Sequence, residues 1–270
     1  MTIDFHSLGA PAMAGLAFLL GARHGIDADH LASIDGISRL QYSAGNPRLA
    51  RASGLLFSTG HGIVVLLLAL GVALFAGAAD VPTVPAWLDT AGALLSVTML
   101  SIIGTVNLRN ALSSDPARVG ASPVVARMLR TRLLQGAGSG VAIGALFALS
   151  FDTVGLAVMF AAFGVQHSGL GLVALLGALF ALGMMLSDTV NGWVVAHLIG
   201  RGDRFSRRAA RVFALVLAAV ALAIAGVGVV RLLSHPVDAW MEDRGLQASA
   251  AVALMVAGGY LWSRRIGAPR

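Results

Sequence analysis

The chain has 270 residues, of which 57% are hydrophobic and 12% charged. Soluble domains carry about 25% charged residues, so half that share, with apolar runs of about 20 residues, excludes a sizeable soluble domain and fits a polytopic helical membrane protein. The net charge of +6 rests on 19 arginines without a single lysine, and the absence of cysteine removes disulfides, thiolate ligation and iron–sulfur chemistry.

The expected fold is all-α: one membrane domain over residues 1–270, with about seven spans. The N-terminus has no basic stretch, so no cleavable signal peptide is expected. Span 1 is placed at about residues 8–30 and is followed by a polar link to residue 52 with Arg39, Arg48 and Arg51. Span 2, about 53–78, contains His61, and residues 80–85 form a proline-rich loop. Span 3, about 86–108, leads into a link with five arginines that ends near residue 134. The next two apolar stretches, 135–163 and 170–199, are interrupted by polar residues around Asp152-Thr153 and Asp188-Thr189. Each is long for one straight span of about 20 residues, which predicts tilt, a kink or a break near each Asp-Thr pair. A basic loop, a sixth span at about 212–233 and a seventh at about 247–262 complete the chain.

Sixteen of the nineteen arginines fall in alternate links and the C-terminal tail. By the positive-inside rule the C-terminus is cytoplasmic and the N-terminus external. This distribution assigns the basic charge to topology and not to a nucleic-acid surface. A short repeat is also visible: Leu146-Phe147-Ala148-Leu149 precedes Asp152, and Leu179-Phe180-Ala181-Leu182 precedes Asp188. Broken helices at matching places in two repeats point to a midplane binding site.

The densest chemistry lies in Arg23-His24-Gly25-Ile26-Asp27-Ala28-Asp29-His30, five ionisable groups in eight residues. Ionisable groups in a membrane run mark function. On a straight helix His24, Asp27 and His30 form one slanting stripe at i,i+3 spacing, while Asp29 falls about 140° round from His24. Asp29 and His24 share an ion only if the helix unwinds, and Gly25 makes a local break plausible. Mixed imidazole and carboxylate donors suit Ni²⁺, Co²⁺ or Zn²⁺ better than Mg²⁺ or Ca²⁺. Asp27, Asp29, Asp152 and Asp188 are four potential negative charges against Arg23, each costing about 2.5–3.5 kcal/mol at membrane depth. A bound divalent ion, protons or hydration would offset that excess. The candidate metal residues are His24, Asp27, Asp29, His30, His61, Asp152 and Asp188.

Simpler roles stand beside each. The eight-residue stretch fits a solvated helix end with surface ion pairs. His61 fits an interhelical hydrogen bond, and Asp152 and Asp188 fit caps on half-helices. His167 and His197 fall at membrane boundaries and read as solvated.

Four segments together resemble the nickel/cobalt transporter family. Residues 23–30 resemble its R-H-A-x-D-A-D-H signature, with His24, Asp29 and His30 as the core. Phe57-Ser58-Thr59-Gly60-His61 resembles its Phe then Gly-His motif. Phe151-Asp152-Thr153 and Gly183-Met184-Met185-Leu186-Ser187-Asp188-Thr189 resemble its two Asp-Thr motifs. The sequence departs from the family pattern at Gly25 (usually Ala), at Gly155-Leu156 where a Glu usually follows, and at Asn191 in place of a second Asp. The family usually has eight spans with the signature in the second.

The resemblance implies a permease, not an enzyme, that takes up Ni²⁺ or Co²⁺ as substrate across the cytoplasmic membrane, without a cofactor. His24, Asp29 and His30 would select the metal. It also implies a link to nickel enzymes or cobalamin synthesis. With no Walker motif, the drive would be the membrane potential, about 4.6 kcal/mol per 100 mV for a divalent ion. The alternatives are a proton-exchanging exporter and an accessory membrane protein for urease or hydrogenase. A membrane metalloenzyme is a weaker fit, because no His-Glu-x-x-His pattern is present.

Overall fold

A computed structural model describes residues 9–76, 86–112, 136–149, 151–200 and 204–234, together with Leu254 and Gly258. Every element among the described residues is an α-helix. In chain order they are α1 (Ala10–His24), α2 (Ala28–Ser43), α3 (Pro47–Ala76), α4 (Ala86–Leu112), α5 (Ala137–Phe147), α6 (Phe151–His167), α7 (Leu170–Gly200) and α8 (Arg204–Leu233).

Four of these helices are long and apolar enough to cross a membrane: Pro47–Phe75, Thr90–Arg109, Leu170–His197 and Ala214–Leu233. At 31 residues α7 is about 46 Å long, more than the hydrocarbon core needs. Large apolar side chains stand exposed along them, among them Leu67, Leu74, Leu182 and Leu186. That is costly in water and appropriate against lipid.

The sequence predicts one span over residues 8–30, but the helix ends at His24. The amides of Ile26 and Asp27 bond back to the carbonyls of Arg23 and His24 at 2.9 and 3.0 Å, tightening the last turn. Asp27 is extended (φ −65°, ψ 151°), and its carbonyl accepts from the Leu31 amide to start α2. The expected polar link after residue 30 is therefore helix α2 and the first turns of α3. Between them Gly45 adopts a positive φ of 80°. There the Asn46 amide reaches the Gln41 carbonyl and the Gly45 amide that of Tyr42, at 2.9 and 3.0 Å, the Schellman closure that glycine permits. Pro47 then opens α3, where its missing amide proton costs nothing.

Helix α7 is the centre of the bundle: α3 and α1 lie along it, with α2 and α6 against its sides, while α4 and α8 form a second pair joined to the rest through α2 and by smaller contacts of α8 with α7 and of α4 with α6. Close approach of backbones builds these contacts. A Cβ at Gly54 of α3 would overlap the Asp188 carbonyl of α7, and one at Gly192 would stand 2.7 Å from the Gly54 nitrogen. Gly21 of α1 meets Phe180 of α7 in the same way, and Gly183 of α7 meets Phe18. Gly60 and Gly144 do this between α3 and α5. Small residues at crossings let dispersion act between backbones where lipid offers no hydrophobic drive. Phe160, Phe180, Leu176, Met184 and Met13 fill the core beside these crossings.

The long apolar stretches differ in one respect from each other. The first is broken between Phe147 and Phe151, as its Asp-Thr pair predicts. The second runs unbroken through Ser187-Asp188-Thr189 as α7, so Asp188 does not cap a half-helix. The Leu-Phe-Ala-Leu repeat consequently falls at a helix end in one copy and mid-helix in the other. Arg204, Arg207, Arg208 and Arg211, expected in a loop, lie in the first turns of α8. The loop at 80–85, most of the link that ends near residue 134 and, apart from Leu254 and Gly258, the seventh span at 247–262 lie outside the described residues.

Arg39 also departs from its expected role as an exposed topology signal. It is 1% exposed and forks onto Asp35, itself 0% exposed, with Nε–Oδ2 at 2.8 Å and Nη2–Oδ1 at 3.0 Å. Gln41 on the same helix donates to Ser139 Oγ at 2.9 Å. A helix of ordinary polarity is thereby buried among apolar ones, because its polar groups are satisfied locally and across helices.

Two outcomes follow from this packing. Gly54→Ala should sharply reduce the yield of folded protein in detergent, while Gly71→Ala, where a Cβ meets nothing within 4 Å, should leave it unchanged or slightly raised. Asp35→Ala should destabilise by about 3–5 kcal/mol by taking the paired carboxylate away from a buried guanidinium, and Asp35→Ala with Arg39→Met should recover part of that loss. Thermal denaturation followed by fluorescence-detected size exclusion measures both.

Candidate metal centre

The break after α1 is what assembles the site. His24 ends α1, His30 sits in the first turn of α2, and His61 stands mid-way along α3. Their rings form a nearly equilateral triangle, with centroid separations of 4.6 Å (24–30), 5.2 Å (24–61) and 4.9 Å (30–61). All three are buried, at 6%, 0% and 1% exposure. One ring nitrogen from each lies within 4.8 Å of the others. Nitrogens bound to a first-row ion at about 2.1 Å lie about 3.0–3.5 Å apart, so the rings need to close on an ion by roughly an ångström or less.

Gly25 is closely packed here. Its φ of −65° is open to any residue, but a Cβ would overlap Ser187 Oγ and stand 3.0 Å from Asp188 Oδ1. The glycine brings the break, and the histidines on either side of it, against α7.

Each histidine uses one nitrogen on a partner and leaves the other free. His24 Nδ1–H donates to Asp27 Oδ2 at 3.2 Å, and His30 Nδ1–H to Asp188 Oδ2 at 3.0 Å. His61 Nε2 pairs with Thr153 Oγ1 at 3.3 Å. The remaining nitrogens, His24 Nε2, His30 Nε2 and His61 Nδ1, are buried without a hydrogen-bond partner. Three orphaned imidazole nitrogens in one buried cluster are costly unless something accepts their lone pairs. A partner on the far nitrogen fixes the tautomer and aims the near lone pair, the pattern typical of metal-binding histidine.

Asp188 is fully buried and carries a second partner, Ser58, whose hydroxyl lies 2.7 Å from Oδ2 and 2.8 Å from the Gly54 carbonyl. Asp188 Oδ1 and, one turn further on α7, Asn191 Nδ2 are buried without partners. Asp27 is partly exposed and also faces Arg23 at 3.9 Å. Two carboxylates thus stand behind the histidines, Asp27 behind His24 with Arg23 beside it and Asp188 behind His30.

The structure thus brings His24, His30 and His61 together, with Asp27 and Asp188 behind two of them. Asp29 does not join that cluster: it accepts the His30 amide at 3.0 Å and lines a separate cavity. Asp152 is in the first turn of α6, with its side chain outside the described residues. His167 and His197 are exposed and stack on Phe163 and Trp193, each four residues earlier on its own helix. Sequence reading missed Ser58 and Thr153 as partners. Ser58 had a signal, since it lies three residues before His61 on the same helical face. Thr153 had none beyond its place beside Asp152, because its bond to His61 spans 92 residues.

Comparison with known proteins identifies the family. The family model described as high-affinity nickel-transport protein (NicO) matches residues 10–262. Among curated relatives, the cobalt transport protein NhlF of Rhodococcus rhodochrous is 32% identical over 265 residues, 84% of this chain and 74% of its own. The hydrogenase nickel incorporation protein HupN of Bradyrhizobium diazoefficiens is 34% identical over 208 residues, 67% of this chain and 53% of its own. The nickel transporter NixA of Staphylococcus aureus is 31% identical over 209 residues, 68% of this chain and 61% of its own. The chain spans from about half to three quarters of the length of these relatives. No solved structure matches it. With a multi-helix membrane architecture and a family model covering nearly all its length, the chain belongs to the high-affinity nickel-transport family, a family of membrane transporters and not of enzymes.

Proposed function

We propose that the chain is a secondary permease that takes up Ni²⁺ or Co²⁺ across the cytoplasmic membrane, with the ion held in transit by His24, His30 and His61. The observation that carries this reading is the buried cluster of three histidines, each with one nitrogen anchored and the other unpartnered. The names of the relatives, which are nickel and cobalt transporters, support the choice of ion. Imidazole donors suit both metals.

Asp27 and Asp188 act through the histidines they hold. A carboxylate on the far nitrogen raises the basicity of the near one, and losing such a partner typically costs 10–100-fold in metal affinity. Thr153 holds His61 without adding charge. Neutral imidazoles bind an ion without a thiolate's grip, which suits a site that must also release.

Uptake needs no nucleotide. A divalent cation moving down a potential of 100 mV gains about 4.6 kcal/mol, roughly a thousandfold in concentration. The cytoplasmic C-terminus and external N-terminus stay part of the proposal, supported by the arginine distribution, although Arg39 is buried and leaves that count. The name of HupN supports a further link to nickel delivery for hydrogenase-type enzymes.

Accumulation of radiolabelled nickel at nanomolar concentration, in cells expressing the chain, tests the reading. Wild type should raise accumulation, and a collapsed membrane potential should abolish the gain. His24→Ala, His30→Ala and His61→Ala should each lose at least 90% of it, and Asp188→Asn should raise the half-saturating concentration by about 10–100-fold. Reduced accumulation in wild type would reverse the direction to export, and full uptake by all three histidine variants would remove the site.

A further inference from the structure

Helix α2 leads from the triad to one end of the bundle. His30 in its first turn meets Asp188 part-way along α7, and Tyr42 in its last turn lies beside Gly200, where α7 ends. His30, Ile34, Ile37 and Gln41 recur at i, i+4, i+7 and i+11, so they share one face of α2. Helix α5 spans the same depth. Ser139 lies in its first turn, and its last residue, Phe147, packs on Phe57 with centroids 5.6 Å apart. Phe57 in turn stands edge-on to His30 at 4.9 Å. Two short helices, of 16 and 11 residues, therefore each have one end at the level of the triad.

Two kinds of contact close the space between them. Next to the triad, Ile34 and Ile37 of α2, Phe57 of α3 and Phe147 of α5 form one buried apolar cluster. At the outer end the Gln41 amide donates to Ser139 Oγ at 2.9 Å and to the Gly136 carbonyl at 3.1 Å. An apolar constriction stops an ion by excluding the water it needs. A hydrogen bond at the outer end is readily exchanged for water when that end opens. Gln41 lies about 16 Å of helix rise from His30, too far to touch an ion in the triad. The chain leaves helical geometry at both hinge points, before Ala28 of α2 and after Phe147 of α5. The Asp35–Arg39 pair is internal to α2 and need not break when that helix moves.

We propose that the ion leaves the triad between α2 and α5, and that Ile34, Ile37 and Phe147 close this route while Gln41 latches its outer end. This rests on the reading that the triad holds the transported ion. The route opens at the end where exposed Arg48 and Arg51 begin α3, the side that the arginine distribution assigns to the cytoplasm.

The chain has no cysteine, so introduced thiols report on the route without background. In proteoliposomes with an imposed potential, Gln41→Cys with Ser139→Cys, joined by a short cleavable thiol cross-linker, should cut nickel uptake at least tenfold. Cleaving the link should restore uptake, and the cross-linked protein should still bind Ni²⁺ with unchanged affinity, which separates a latch from a support of the triad. Ile37→Cys, at a position 5% exposed in this structure, should react several-fold faster with a hydrophilic thiol reagent once Ni²⁺ and the potential are applied. Ala225→Cys, buried between α4 and α8, should show no such change. Undiminished uptake by the cross-linked protein, loss of Ni²⁺ binding together with uptake, or an Ile37→Cys that never becomes accessible overturns the route. Absence of nickel uptake by the wild type contradicts the permease reading instead, and the accessibility of Ile37→Cys still decides the route on its own.

Discussion

The interruption of helix at Gly25–Asp27 is the constraint on which the site depends. On one continuous helix His24 and His30 would stand six residues and about 9 Å of rise apart, too far for one ion. The break folds α2 back so that the two rings stand 4.6 Å apart and both face His61. The break is held in place by α7, which presents Asp188 to His30 and packs closely on position 25. The same helix meets α3 at Gly54 and Gly192, so the positions of His30, Asp188 and His61 are set by one set of backbone contacts.

Polar groups inside this bundle follow one logic. Arg39 and Asp35 neutralise each other, Gln41 finds Ser139, and Asp188 takes both His30 and Ser58. Against that background three imidazole nitrogens stand without partners in one cluster, as do Asp188 Oδ1 and Asn191 Nδ2 on α7 and Asn107 Oδ1 on α4. The cost of leaving the imidazole nitrogens so is offset where a cation occupies the cluster.

The sequence made the helical class legible through its apolar runs, and the histidine-rich octapeptide through its charge density. His24, Asp27 and His30 were readable as neighbours, yet for an incomplete reason. Helical spacing predicts a stripe, whereas the real neighbours meet across a break whose glycine is selected by the crowding of Ser187 and Asp188. That crowding is tertiary and has no local signature. Helix α2 read as a polar link because its own composition is polar, and only its partners on other helices explain its burial. The Asp152 stretch broke as predicted, but Asp188 did not break α7, since its carboxylate is taken up by His30 and Ser58 and is not left to compete for backbone amides. Asp29 already fell off the His24–Asp27–His30 stripe by helical spacing, and the structure keeps it out of the histidine cluster despite the break.

The central claim is that three imidazoles, anchored from behind, hold the transported ion. An experimental structure of the chain with Ni²⁺, with the ion located by anomalous scattering, tests it most directly. The account predicts a peak at bonding distance, about 2.1 Å, from His24 Nε2, His30 Nε2 and His61 Nδ1, with Asp27, Asp188 and Thr153 still on the opposite nitrogens. An ion bound by other residues, with these three nitrogens left unligated, would contradict it.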